Sequence, residues 1–253
     1  MLFRSHDARK AAEATALAAR QGVPVLAYDR LVLRGAVDAY VSFDNRATGE
    51  LMARRLSREL GGGSVAIVNG ASSDNNSELL RQGFYAVLDP LVAGGLFRIL
   101  DESWADLWAE DKAYLASERL LSTGIIPDGF IAGNDGLAGA IVQSLSERRL
   151  AGRVFVVGQD ADLAACQRIV EGTQLATVYK PIHTLAAVAA DLAISLALGD
   201  TVKAEGTIFD GERYIPFVAV QPVLVDAATL DATVIADGFH SLKDIYRNLP
   251  TDR

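Results

Sequence analysis

Apolar positions recur along this chain in two alternating periods, one near 3.6 residues and one of 2. Over 7–21, Ala and Leu fall at helical spacing behind Asp7, a favoured N-cap type, and Gly22 supplies the stop. The β-branched run Val23-Pro24-Val25-Leu26-Ala27-Tyr28 then reads as a strand. The same alternation predicts strands at 40–43, 65–69, 97–100, 129–132, 154–157 and 176–178. It predicts helices at 46–60, 76–88, 109–121, 136–145 and 161–171, the first of these ended by Gly61-Gly62-Gly63. Beyond Pro181 come a helix over 185–198, three strand-like pieces at 206–209, 214–218 and 223–225, and a polar tail. Short strands separated by helices of ten or more residues imply parallel sheets built from right-handed crossovers, an α/β class.

Composition adds little to that class but removes several functions. With 253 residues, 50% of them hydrophobic and 22% charged, the chain has the make-up of one or two globular domains with a real core. Thirty-two Asp and Glu against 24 Lys and Arg give a net charge of −8, which excludes nucleic acid as a partner. The single cysteine, Cys166, has no partner for an internal disulfide and says nothing of the compartment. No apolar run reaches the roughly 18 to 20 residues of a membrane span, and the apolar part of Met1–Asp7 is too short for a signal-peptide core.

In open parallel sheets, ligands sit beyond the carboxyl ends of the strands, where the loops converge. The residues there are Asp29-Arg30, Ser73-Asp74-Asn75-Asn76, the stretch from Trp104 to Trp108, Asn134-Asp135, Gln159-Asp160 and Tyr179-Lys180-Pro181. Carboxylates and carboxamides exchange hydrogen bonds with vicinal hydroxyls, Arg and Lys donate to them, and an indole face covers the C–H side of a pyranose. The set therefore suits a neutral polyol. Each member also has a plainer role: Asp29 and Asn76 as helix caps, Asn134-Asp135 as an Asx turn, Trp104 and Trp108 as a helical pair, Lys180 as an exposed lysine. What favours the ligand is their succession at one end of consecutive strands.

Catalysis is poorly served. His6, His183 and His240 are scattered, Cys166 lies in a helical pattern, and there is no nucleophile elbow, P-loop or zinc spacing. The expectation is a binder and not an enzyme, with no metal and no cofactor.

At these residues the sequence resembles the D-xylose-binding proteins of bacterial ABC importers, within the type I periplasmic sugar-binding proteins. The likeness is carried by Val25-Leu26-Ala27-Tyr28-Asp29-Arg30, Tyr40-Val41-Ser42-Phe43-Asp44-Asn45, Asp74-Asn75-Asn76, Trp104 with Trp108 and Asn134-Asp135. Gly158-Gln159-Asp160-Ala161-Asp162, Gly172-Thr173, Val178-Tyr179-Lys180-Pro181 and Asp237-Gly238-Phe239-His240 complete it, so that it spans nearly the whole chain.

The resemblance implies two lobes, each a doubly wound parallel sheet, joined by a three-strand hinge that closes on one sugar. The first lobe would comprise 1–43 plus 181–222 and the second 44–180 plus 223–253, with crossings near Ser42–Asn45, Lys180–Pro181 and Gln221–Pro222. Asp29 and Arg30 would reach the sugar from the first lobe, and Asn76, Trp108, Asn134 and Asp160 from the second, with Lys180 at the second crossing. Trp108 would stack on the ring and the others would hydrogen-bond hydroxyls; Trp104 is the lesser aromatic candidate.

The implied function is delivery of D-xylose, or a related aldopentose, to a membrane permease, in the periplasm or attached outside the cell. Contact with the membrane would be through the permease alone. The alternative is a pentose-sensing module acting on a kinase or transcriptional partner. Two strand-helix units, roughly 60 residues, that open the family's first lobe have no counterpart here, and Met1–Arg4 falls at its third strand. A lobe so shortened leaves a strand edge open and invites self-association.

Overall fold

The structure, a computed structural model, describes residues 1–5 and 7–249; His6 and the last four residues of the second predicted lobe lie outside them. The elements in chain order are β1 (Leu2–Phe3), α1 (Ala12–Arg20), β2 (Leu26–Tyr28), β3 (Ala39–Phe43), α2 (Asn45–Leu60), β4 (Gly63–Asn69) and α3 (Asn75–Ala93). Next come β5 (Phe97–Trp104), α4 (Glu110–Ser122), β6 (Gly129–Ala132), α5 (Asp135–Glu147), β7 (Phe155–Val157) and α6 (Leu163–Val170). The chain continues with β8 (Thr177–Tyr179), α7 (Ile182–Leu198), β9 (Gly206–Phe209), β10 (Tyr214–Val220), β11 (Val223–Val225) and α8 (Leu242–Ile245). They form two compact units: unit 1 holds Met1–Asn45, Ser73–Glu78 and Pro181–Pro222, and unit 2 the rest.

Unit 1 is built on a sheet of order β1-β2-β3-β10-β9. Alternation along each strand sends successive side chains to opposite faces. Leu26, Val41 and Phe43 pack on Leu185, Ala189 and Leu192 of α7, whereas Val25, Ala27 and Tyr40 pack with Ala11, Ala18, Leu31 and Val32. The sheet ends at β1 on one side, and Leu2, Leu17, Ile194 and Leu198 of this unit are exposed.

Unit 2 carries a parallel sheet of order β5-β4-β6-β7, which a bridge from Val157 to Ala176 extends towards β8. Val65, Ile67 and Ile131 face Met52 and Leu56 of α2 and Leu80, Phe84 and Leu88 of α3. Ala66, Val68 and Phe130 face Leu137, Ile141 and Leu145 of α5 and Leu120 of α4. Helices thus cover both faces, as a doubly wound sheet requires. α2 and α3 meet backbone to backbone: a Cβ on Gly83 would lie 2.2 Å from the Arg46 carbonyl oxygen, and one on Gly49 2.2 Å from that of Leu80.

Four expectations need correction. β9 and β11 run antiparallel to β10 and β8, because each is joined to its neighbour by a short connection that reverses the chain. α1 begins at Ala12 and not at residue 7, since Asp7 accepts the N–H groups of Arg9 and Lys10 and so caps a separate turn. α6 starts at Leu163, because Asp160 and Ala161 stand in the left-handed region (φ 98° and 53°) and cannot begin a helix. β5 runs on to Trp104, and Trp108 follows in a short 3-10 turn with left-handed Leu107 and Trp108, so the two indoles are no helical pair.

Candidate functional site

In unit 1, β2 ends at Tyr28 and the next residue, Asp29, is left-handed at φ 63°. A non-glycine residue there is strained, though Asp tolerates it better than most, and its surroundings must hold it. The Asp29 carbonyl oxygen accepts hydrogen bonds from Ser42 Oγ at 2.8 Å and Asn76 Nδ2 at 3.0 Å. Tyr40 Oη stands 3.0 Å from the same oxygen and 3.4 Å from Asn76 Oδ1, and burial pushes this phenol far above its ordinary pKa, which keeps it a donor. Asp29 Oδ2 receives Arg4 Nε at 2.8 Å. Arg30 Nε pairs at 3.2 Å with the nearly buried carboxylate of Asp74, whose other oxygen accepts the Asn76 N–H at 3.0 Å. Asp74, then, caps α3, and the Asn76 amide is engaged in fixing the Asp29-Arg30 turn.

Unit 2 sets its candidates along one edge of the sheet, after β5, β6, β7 and β8. Trp108 folds its indole onto the backbone at the ends of β4 and β6. A Cβ on Gly70 would sit 2.2 Å from two of its ring carbons, and one on Gly133 3.2 Å from the ring. Both positions must be glycine for the ring to lie there. Trp104, the last residue of β5, is the more exposed of the two indoles.

After β6, Asn134 does cap α5, its Oδ1 accepting the Leu137 N–H at 2.9 Å. That leaves its Nδ2 as a donor with no partner among the described residues. After β7, Asp160 is held left-handed, its N–H bonded to the Val178 carbonyl at 2.8 Å. Its carboxylate lies 3.3 Å from the ammonium of Lys180, whose side chain is 12% exposed and so is no solvated surface lysine. Asp160 itself is 40% exposed, which leaves acceptor capacity.

Behind these residues lies a layer that strand-end reasoning passed over. Burial raises the carboxyl of Asp135 above the usual carboxylate range against the lowering by Thr177 and Gln174. Gln159 Nε2 donates to the Gly133 carbonyl at 2.7 Å. The tail motif packs here too: His240 Nε2 lies 2.9 Å from the Ala161 carbonyl oxygen, Phe239 packs on Tyr179, and Tyr179 Oη donates to Asp237. Glu102 holds Arg81, Asn69 and Tyr85; burial raises its carboxyl, but those three hydrogen bonds together leave it below the usual range. Asn69 is the residue before Gly70, so this network braces the strand end under the indole. The signal for this layer was a glycine or amide beside each strand-end candidate.

The chemistry is that of a hydroxyl-binding surface: an amide donor, a carboxylate, an ammonium and an aromatic face in unit 2, with a carboxylate and a guanidinium in unit 1. Cys166 is buried, and burial pushes its thiol up to about 12, far from a reactive thiolate. Among the described residues no group of three His, Cys, Asp or Glu side chains could hold a metal ion, and no helix is long and apolar enough to cross a membrane.

A family model described as a periplasmic binding protein domain matches residues 4–201. The chain belongs to that family. It is 41% identical to the D-xylose-binding periplasmic protein of Haemophilus influenzae over 230 residues, which are 90% of this chain and 69% of that protein. The protein of the same description from Escherichia coli is 39% identical over 229 residues, with the same coverage. Among solved structures, the solute-binding protein of a carbohydrate transporter from Chloroflexus aurantiacus, in complex with D-glucose, superposes with a TM-score of 0.89. It is 31% identical, and the match covers 98% of this chain and 82% of that one. The fold is therefore the α/β type I fold of the periplasmic binding proteins. The family consists of substrate-binding proteins.

Proposed function

We propose that this member of the periplasmic binding protein family binds D-xylose, or a related aldopentose, and delivers it to an ABC importer without catalysing a reaction on it. The observation that carries the reading is the 41% and 39% identity to two D-xylose-binding periplasmic proteins along nine-tenths of the chain. Supporting it are Trp108, Asn134, Asp160 and Lys180, placed by one sheet edge of unit 2, and Asp29 and Arg30 after β2 of unit 1. Asn76 acts through the Asp29 carbonyl it holds. The compartment follows from the relatives' description as periplasmic. The open β1 edge and the exposed Leu2, Leu17, Ile194 and Leu198 support self-association, which sedimentation velocity over a range of concentrations reads directly.

Isothermal titration with D-xylose, D-ribose, L-arabinose and D-glucose tests the reading. Saturable heat with D-xylose at the lowest Kd is expected, and loss of that heat in Asp160→Ala and Asn134→Ala. Heat with D-glucose alone would move the ligand to a hexose. Silence with every sugar would overturn the pentose reading, and unchanged affinity in both variants would sink the site.

A further inference from the structure

The turn that presents Asp160 is strained at two successive residues, and a carboxylate lies buried beneath it. Asp160 and Ala161 both stand in the left-handed region, where a side chain costs roughly 1–2 kcal/mol per residue. Such conformations persist only where the surroundings over-determine them. Asp135, the first residue of α5, is 1% exposed, and a buried charge is tolerated only when it is fully hydrogen-bonded.

The bonds of Asp135 answer both requirements. Its Oδ2 accepts the Asp162 N–H at 3.1 Å and the Thr177 hydroxyl at 2.7 Å; its Oδ1 accepts Gln174 Nε2 at 2.8 Å. Thr177 Oγ1 in turn accepts the Ala161 N–H at 3.2 Å, and the backbone N–H of Asp135 donates to the Gln159 carbonyl at 2.9 Å. The Gln159, Ala161 and Asp162 backbones are thus all tied to Asp135 or to its hydroxyl partner. Residue 158 must be glycine for the carboxylate to come so close, since a Cβ there would lie 2.3 Å from Oδ1.

We propose that Asp135 is the positioning residue of the sugar site: its buried carboxylate locks the Gln159–Asp162 turn and so aims Asp160 at the ligand. This rests on the pentose-binding reading above. The lock is specific to a carboxylate. All three side-chain bonds come from donors, and Gln174 cannot turn its amide round, because its Oε1 accepts Arg168 Nε at 2.9 Å. An asparagine at 135 matches the shape but sets an NH2 against either Gln174 Nε2 or the Asp162 N–H. Glutamate at 174 would accept from that NH2 and keep an oxygen for Arg168.

The test compares Asp135→Asn with the double variant Asp135→Asn/Gln174→Glu at pH 7, by amide hydrogen exchange of the sugar-free protein and by D-xylose titration. Asp135→Asn is expected to lose protection at the Ala161 and Asp162 amides and to weaken D-xylose at least tenfold; the double variant regains both. Should the single variant not fold, Thr177→Val serves in its place and is expected to expose the Ala161 amide alone. Unaltered exchange and affinity in Asp135→Asn, or in Thr177→Val where it is the variant used, would overturn the proposal. So would a double variant no better than the single one. A wild type that binds no sugar defeats the pentose reading, while the exchange data still decide whether Asp135 holds the turn.

Discussion

Replacing Gly70 by alanine tests whether the Trp108 platform is built by the strand ends or merely tolerated by them. The added Cβ would lie 2.2 Å from two indole carbons and 2.5 Å from a third. Carbon atoms in good contact stand about 3.5–4.0 Å apart, so the ring must retreat by roughly 1.3 Å or more. It cannot slide along the sheet edge, because the Gly133 backbone lies under the same ring. It must lift off, in a 3-10 turn whose two left-handed residues leave little slack. An aromatic contact of this kind contributes about 0.5–1.5 kcal/mol beyond its buried area, and lost apolar coverage adds to that. The expected outcome is a D-xylose Kd raised about tenfold, equivalent to about 1.4 kcal/mol. With two tryptophans in the chain, a Trp104→Phe background isolates Trp108, and its emission should shift to the red as the ring enters water. Wild-type affinity together with an unshifted spectrum in Gly70→Ala would refute the reasoning.

Three further outcomes follow from the packing. Gly83→Ala sets a Cβ 2.2 Å from the Arg46 carbonyl oxygen and 2.8 Å from the Glu50 nitrogen, atoms that cannot swing aside. The overpacking of about 1–3 kcal/mol outweighs the gain of about 1 kcal/mol in helix propensity, so urea unfolding should show a net loss, and a stabilised variant would contradict the close approach. Arg30→Ala strips a nearly buried Asp74 of its ion-pair partner and should destabilise by about 3 kcal/mol, whereas Arg30→Ala/Asp74→Asn should recover much of it; equal melts for the two variants would count against the pair. Glu102 is held below the usual carboxylate range, so the stability it adds is present above the unfolded-state pKa near 4.5 and is lost as pH falls through the lower folded value. Glu102→Gln should therefore flatten the acid limb of the stability curve, and parallel curves for the two proteins would remove its role.

How much of this was legible in the sequence depends on the range of the interaction. Local periodicity marked nearly every helix and strand and the α/β class, because a core-facing stripe of period 3.6 or 2 is written in consecutive residues. The strand-end order of Asp29, Arg30, Trp108, Asn134, Asp160 and Lys180 was visible for the same reason. Where backbone geometry depended on partners distant in the chain, sequence reading erred. Neither the turn that keeps α1 from starting at Asp7 nor the left-handed Asp160 and Ala161 that delay α6 leaves a periodic trace.

The chain by itself therefore determined the element order, the alternation of faces and the chemical character of the loops. Tertiary structure alone decided what each polar group does with its hydrogen bonds. Asn76 was turned to the Asp29 carbonyl, Asp74 to Arg30, Lys180 to Asp160, and Asp135 to Thr177, Gln174 and the Asp162 backbone. The physical reason is that a side-chain donor or acceptor specifies a partner's type but not its address. That address, for groups 20 to 50 residues apart, exists only once the sheets have formed.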